Sequence, residues 1–433
     1  MTASPPRVAG TAVTSGEPAV RLLAPLRERR FALYLIGQLL SQVGDGIYLV
    51  TLPFVMLNQG GGPANLGVVL ACYGAARLAL FPVGGALADR VGARPVMLAA
   101  DALRALVVLG FVALAADGHI PLWAMITVAV PFGILGGIFM PASFAVLPQI
   151  VRPESLAPGN SLIQIMQSTS RIAGPGLGGT LVGSLKSGVG LLIDAITFLV
   201  SSLTLMAIRP SRPAVETADE TAAQHANDGV QDSDRLRTWR SVLRYASSSP
   251  LVRMTLLTTL VFNLAAVGLI EVALPSFAQG PLGRGAPGFG IMMTGLGGGS
   301  VIGALLGPTL LRLRRRGLIA LCLGIAEGLA LMGIPVGSSL VVATAALFTA
   351  ASLQAMVNVF YMTMLQQTVP ARALGRVMSL LVTCAGLAYP ASALLAGNVL
   401  GGTADPEAVI IVAGLGVSVS FSVGFFSRPY RNL

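Results

Sequence analysis

From residue 31 onward the chain returns again and again to apolar runs of about 20 residues, separated by short polar turns. A helix of that length crosses a hydrocarbon core of about 30 Å. No single soluble core could bury so many such segments. The sequence is 54% hydrophobic and only 11% charged, against about 25% charged in an ordinary soluble domain. Twelve spans are expected, near 31–56, 65–88, 96–116, 122–147, 159–184 and 188–208, then 252–278, 288–311, 317–335, 339–366, 374–398 and 406–427. The expected fold class is an all-α membrane protein of twelve transmembrane helices. No apolar segment precedes residue 31, so no cleavable signal peptide is expected.

The formal charge of +10 invites a nucleic-acid reading, but its distribution points to a bilayer. With the loops numbered alternately from an inside N-terminus, 23 of the 28 basic residues fall on the inside, counting Arg253 and Arg376 at the inner edges of their spans. Lys186 and Arg284 fall outside, and Arg77, Arg104 and Arg171 fall within spans. That bias orients both termini to the cytoplasm. The expected partners are therefore the lipid bilayer and a small amphipathic substrate, with protons as the coupling ion and no nucleic acid. The expected location is a bacterial cytoplasmic membrane, and the expected assembly a monomer.

The spans divide six and six. A cytoplasmic tail (1–30) precedes one six-helix bundle (31–208), a linker (209–251) follows, and a second bundle (252–427) ends in a short tail (428–433). The linker begins polar and mixed in charge, as disordered segments do. It ends in RLRTWRSVLRY (235–245), whose apolar residues share one helical face. That is a short amphipathic helix, either on the inner membrane surface or packed on the protein. The halves echo each other: LPQIVRPESLAPGNSL (147–162) and LQQTVPARALGRVMSL (365–380) lie 218 residues apart. A repeat in the same orientation implies two pseudo-symmetric bundles with a site between them.

The turn after span 2 reads GGALADRVGARPVM (84–97). Its Gly85, Asp89, Arg90, Gly92 and Arg94 resemble the signature turn between helices 2 and 3 of the major facilitator superfamily. GPGLGG (174–179) is similar to the helix 5 signature of that superfamily's drug/proton antiporters. QVGDGIYLVTLPF, ADALRAL and LLIDAITFLVSSLTL resemble the branch with macrolide-efflux proteins and the enterobactin exporter. The resemblance covers residues 31 to 427 and implies the major facilitator fold. One departure is span 4, where PFGILGGIFMPASF (131–144) carries no charge, whereas many such antiporters have an arginine there.

Two readings of the turn stand side by side. It is a solvated reversal whose arginines suit an anionic leaflet, or it is a gate. The resemblance places helix 2 beside helix 11, whose N-terminus favours a carboxylate and whose first turn carries Arg376. Asp89 would then latch the halves together. Gly295, Gly299, Gly303 and Gly307 recur every four residues in span 8. With Gly174, Pro175, Gly178 and Gly179 of span 5, they are expected to form a close helix 5/helix 8 contact.

Counting 1.5 Å per residue, Asp45, Arg77 and Arg171 share a level about 18 to 21 Å from the inner ends of their spans. Asp45 with Arg77 or Arg171 is a structural ion pair, a proton-coupling site, or a lipid-facing group. Asp101 and Arg104 read as a structural pair near the inner interface, and Glu271 as a group near the outer surface. By resemblance, spans 1, 4, 7 and 10 line a cavity. They offer Gln38, Gln42, Tyr48, Phe139, Met140, Asn263, Met356, Asn358 and Tyr361, each of which also reads as core packing.

Enzyme chemistry finds no footing. The histidines, His119 and His225, fall in loops, and the cysteines (Cys72, Cys322, Cys384) give no metal spacing. No phosphate-binding Gly-Lys loop is possible, since the only lysine, Lys186, follows Leu185. No cofactor is expected. The function expected is a secondary active exporter of amphipathic small molecules such as a drug, antibiotic or siderophore. An uptake carrier of the same fold and a non-transporting sensor or assembly partner are the alternatives.

Overall fold

A computed structural model describes residues 23–58, 61–115, 121–152, 155–184, 187–208, 247–310, 315–369, 371–402 and 405–426. Among them run twelve long helices. They are α1 (Arg29–Asn58), α2 (Gly62–Val91), α3 (Ala93–Ala115), α4 (Leu122–Ile150), α5 (Leu156–Ser184) and α6 (Ser187–Ala207). The second set is α7 (Pro250–Gln279), α8 (Gly285–Leu310), α9 (Arg316–Met332), α10 (Leu340–Thr368), α11 (Ala371–Gly402) and α12 (Pro406–Ser422). Each expected span overlaps one of them. Ten are long and apolar enough to cross a membrane. The exceptions have plain causes. α9 has only 17 residues, while α5 is diluted by Asn160, Ser161, Gln164, Gln167 and Ser168. The chain is thus a multi-pass membrane protein. Segment 235–245 and most of the linker lie outside the described residues.

Local sequence sets the helix ends. Proline sits in the first turn of α2, α7 and α12, where its missing N–H costs nothing. Gly92 alone joins α2 to α3, at φ 99° and ψ 146°, a conformation that side chains disfavour. Two residues on, Arg94 reaches across to α6. Its Nε donates to the Leu205 carbonyl at 2.7 Å and its Nη2 to that of Met206 at 2.8 Å. Arg94 therefore caps the negative end of α6, which ties the turn to its own bundle. Read from sequence as a gate residue facing the leaflet, it is first a brace.

Within each half, glycine sets the spacing. α2 packs on α4 where Gly84 meets Ile138, Gly133 meets Tyr73 and Gly137 meets Arg77, backbone against backbone. The pseudo-equivalent pair is α8 and α10. There Gly295, Gly299, Gly303 and Gly307 lie against Thr344, Phe348, Ser352 and Val359, and Ser352 Oγ donates to the Gly299 carbonyl at 2.9 Å. This corrects the expectation that the stripe meets helix 5. A four-residue repeat reports a smooth face but not its neighbour. α5 touches α8 through other residues, Gly179 against Gly290 and Ile172 against Gly297. Gly174 and Gly178 instead face Gly46 and Ile47 of α1.

The halves cross at two places. Gly67 of α2 lies against Gly397 of α11, and Gly179 of α5 against Gly290 of α8, backbone to backbone in both cases. Gly179 and Gly397 stand 218 positions apart, the offset of the sequence repeat, and Gly67 and Gly290 stand 223 apart, so the two crossings are symmetry mates to within about a turn and a half of helix. Gln279 Nε2 donates to Asn58 Oδ1 at 2.7 Å between the last residues of α7 and α1. These contacts all belong to the end opposite the Asp89–Arg94 turn. The halves are closed at this far end, with the arginine-rich turn at the other.

Gly299→Val or Gly303→Val should lower folded stability by about 3 kcal/mol or more, since the added atoms meet the α10 backbone rather than a movable side chain. Thermal unfolding in detergent reads this out. An unchanged melting temperature in both variants would remove the α8–α10 seam as the reason for the glycines.

Candidate functional site

Two polar groupings lie inside the helical mass. The first is sealed within the N-terminal half. Gln38 of α1 donates to Ser201 Oγ of α6 at 3.1 Å, and Ser201 donates to Asp101 Oδ2 of α3 at 2.7 Å. Arg104 Nη1 pairs with Asp101 Oδ1 at 3.5 Å, the one ion pair among the described residues. The Arg104 guanidinium lies over the rings of Phe139, Phe198 and Phe132 at 4.6, 5.5 and 5.8 Å. Such a cage holds a cation where water cannot reach it. Asp194 of α6 belongs here too. It is 0% exposed, neither carboxylate oxygen has a hydrogen-bond partner, and Gly44 of α1 packs against it.

The expected structural pair of Asp101 and Arg104 forms, and it is buried within the bundle. Gln38, expected on a cavity wall, is 3% exposed and donates to Ser201 here instead. The cause is the packing of α1, whose Gly37 and Gly44 seat Thr204 and Thr197 of α6, turning Gln38 inward to the same neighbour. Asp194 was not placed by sequence. Its signal was present, since Asp194, Thr197, Ser201 and Thr204 form a polar stripe at helical spacing along an apolar segment.

The second grouping lies between the halves at mid-height. Asp45 of α1 is exposed, and the cations whose field it feels are Arg104 and Arg77. It makes no ion pair with Arg77 or Arg171 among the described residues. Arg77 instead donates to Tyr73 Oη and Met140 Sδ, both at 3.4 Å. Arg171 is exposed and meets α8 only through its carbonyl, beside Gly297. The pair drawn from depth counting is therefore not made. Equal height does not bring residues of different helices onto facing sides.

From the C-terminal half Glu271 enters this grouping. It lies on a π-helical turn of α7, Leu269–Ala273. Here the ladder of α7 is opened by a side chain. Ser392 Oγ of α11 accepts from the Gly268 amide at 2.7 Å and donates to the Leu264 carbonyl, two groups that would otherwise bond each other. Three residues before Ser392, Tyr389 donates to Glu271 Oε2. The Tyr389 ring lies 6.1 Å from that of Tyr73 and packs directly on Gly74 of α2. Glu271 is thus half-buried in a contact between halves, not a wet group at the outer surface.

The remaining candidates divide. Tyr48 stacks 4.9 Å from Phe132 beside the grouping, Met140 is exposed next to Arg77, and Gln42, Phe139 and Met356 are half-buried. Asn358 is exposed, whereas Asn263 binds its own helix at the Thr259 carbonyl. Tyr361 is 5% exposed and stacks on Phe421 of α12, so it packs the second half rather than lining a cavity. Asp89 and Arg90 are exposed, and Gly85 approaches only Pro141 of its own half. The Arg376 side chain lies outside the described residues. The described residues include no group of three or more potential metal ligands.

A family model described as Major Facilitator Superfamily matches residues 34–393. An uncharacterized MFS-type transporter, YvqJ of Bacillus subtilis, is 24% identical over 396 residues, 90% of this chain and 92% of its own. The multidrug efflux pump Tap of Mycolicibacterium fortuitum is 27% identical over 41% of this chain and 44% of its own. Among solved structures, nucleoside transporter NupG superposes with a TM-score of 0.70 at 15% identity, covering 92% of this chain and 99% of its own. A bacterial homologue of the iron transporter ferroportin, in an inward-facing state, gives 0.65 at 16% identity, covering 94% and 99%.

Arg104→Leu should cost about 3 to 5 kcal/mol, because it strands Asp101 uncompensated inside the bundle. Asp101→Asn added to it should recover part of the loss. Thermal unfolding of the single and double variants measures both, and an additive double variant would show that the pair is not coupled.

Proposed function

The chain belongs to the major facilitator superfamily, and on that premise we propose that it exports amphipathic small molecules in exchange for protons. It is a membrane transporter and not an enzyme. The observation that carries the finer reading is Asp45, a carboxylate exposed at mid-height, within reach of two cations but fixed to neither. A carboxylate in that position takes up and releases a proton without breaking the fold. The buried Asp101–Arg104 pair lacks this freedom.

The positive-inside bias puts the arginine-rich end in the cytoplasm, so the closed far end faces outward. An amphipathic molecule enters from the cytoplasmic side and rests among Tyr48, Phe139, Met140 and Met356, whose rings and thioethers re-pack around varied apolar shapes. Closure at the arginine-rich end and opening of the far end expose it outside. There a proton on Asp45 removes the charge that held the site's polarity, and the cargo leaves. Return carries the proton inward down its gradient. The exposure of Asp89 in a form closed at the far end supports its role as a latch toward α11, made only when the near end closes. The partial likeness to a multidrug efflux pump supports export. The cell membrane is the bacterial cytoplasmic one, both termini are inside, and the working unit is a monomer.

Proteoliposomes with an imposed pH gradient, loaded with a panel of macrolides and fluorescent amphipathic dyes, test this reading. The wild-type protein should move at least one of them against its gradient. Asp45→Asn should still bind that compound but lose gradient-driven movement by about tenfold or more. Efflux that persists in the variant takes the coupling role away from Asp45.

A further inference from the structure

The proposed route uses a carboxylate of the N-terminal half and leaves Glu271 of the other half without a task. Its setting is built by several independent features. Ser392 is wedged into the α7 ladder between the Leu264 carbonyl and the Gly268 amide. Gly268 itself has no room for a side chain beside Ala396 and Ser392. The π-helical turn follows at once and carries Glu271 to Tyr389. Single π-helical turns inside α-helices are rare and recur at functional positions.

The groups facing Glu271 come from every element packed on the turn. α11 offers Tyr389, the hydrogen-bond donor. α2 offers Tyr73 and Arg77, bonded to each other, with Arg77 close enough to act on Glu271. α1 offers Tyr48, on which Glu271 acts, and Asp45 beside it. α12 offers none, since its one ionisable side chain, Glu407, lies in its first turn.

We propose that Glu271 is a proton-binding site of the C-terminal half whose charge state controls closure of the far end. Tyr389 is the lever. Its ring sits on Gly74 across the α2–α11 crossing. Its hydroxyl holds the ring there by donating to Glu271. A hydrogen bond to an ionised carboxylate is about twice as strong as one between neutral groups. An ionised Glu271 therefore pins Tyr389 across the crossing and keeps the far end shut. A proton on Glu271 weakens the pin and lets the α2–α11 contact part. The proton stays on the Glu271 carboxyl, and no bond to Tyr389 other than this one changes. The inference goes beyond the export reading, because it needs neither a cargo nor a direction of transport.

The experiment reads conformation alone. Nitroxide labels go on Ser184→Cys and Gly402→Cys, exposed far-end positions in opposite halves, in the full chain with Cys72, Cys322 and Cys384 replaced by alanine. Electron–electron distance distributions are recorded in nanodiscs across acidic to alkaline pH. The parent should shift toward the closed distance as pH rises. Glu271→Gln should lower the closed-to-open ratio at alkaline pH by about fivefold, the gap between a charge-assisted and a neutral hydrogen bond, and abolish the pH response. Tyr389→Phe, which removes one hydroxyl and keeps the ring, should do the same and decides the matter if Glu271→Gln fails to fold. A wild-type ratio in the variants, or a pH response that survives in either, overturns the proposal. Transport assays do not enter, so failure here is distinguishable from failure of proton-coupled export.

Discussion

Two backbone crossings without side chains, Gly67 on Gly397 and Gly179 on Gly290, are the contacts on which the architecture turns. In a bilayer apolar side chains gain nothing by leaving lipid for one another, so close packing must hold helices together. Glycine at a crossing lets two helices approach to backbone contact and leaves few side chains seated in the partner helix, among them Tyr389 on Gly74 and Leu78 on Gly386. The halves can therefore meet firmly and still part. Symmetry doubles the device. Because α5 and α11 are repeat mates, as are α2 and α8, one crossing implies the other, and both lie at the same end of the molecule.

The same chemistry is used inside each half. Along α8, four glycines at successive turns meet the carbonyls and side chains of α10, and along α2 and α4 three more do so. A long seam of this kind is stiff, since any slide would drive several backbones together. Glycine also runs along the boundary between the halves, where Gly401 meets Ala64, Gly67 meets Gly397, Gly74 lies under Tyr389 and Gly386 under Leu78, so seams of one kind both stiffen each half and join the two. Arg94 reinforces its own half. By capping α6 it fastens the α2–α3 turn to the body that carries it, which leaves Asp89 on the same turn exposed.

Much of this was legible in residues alone, and the failures share a cause. The helical spans and the tight reversal near Gly92 follow from hydropathy and local conformation, which neighbours hardly alter, although the reversal takes one residue rather than the expected stretch between 88 and 96. The glycine stripe of α8 was visible but its partner was not, because helical periodicity defines a face and says nothing of what lies opposite. Depth counting put Asp45 and Arg77 at one height yet could not say that Arg77 turns to Tyr73 and Met140. Glu271 was read as wet because the count assumed an unbroken helix ending in water. The wedge of Ser392 comes from a residue 124 positions away from Gly268, and no local pattern announces it.

The ionisable groups at depth sort by whether they can change charge cheaply. Asp101 and Arg104 cannot, since each is the other's compensation within an aromatic cage, and separating them leaves a bare charge in a medium that does not solvate it. Asp194 is buried with no hydrogen-bond partner among the described residues. Asp45 and Glu271 differ from these three. Each borders the space between the bodies, each feels Arg77, and neither is locked to it. Arg77 stands on α2, the helix that also forms a crossing. Arg77 thus acts on one carboxylate of each body, while Arg171 lies exposed on α5 at the other crossing. On the proposed reading, motion and protonation are coupled by electrostatics, without a wire of side chains linking distant sites.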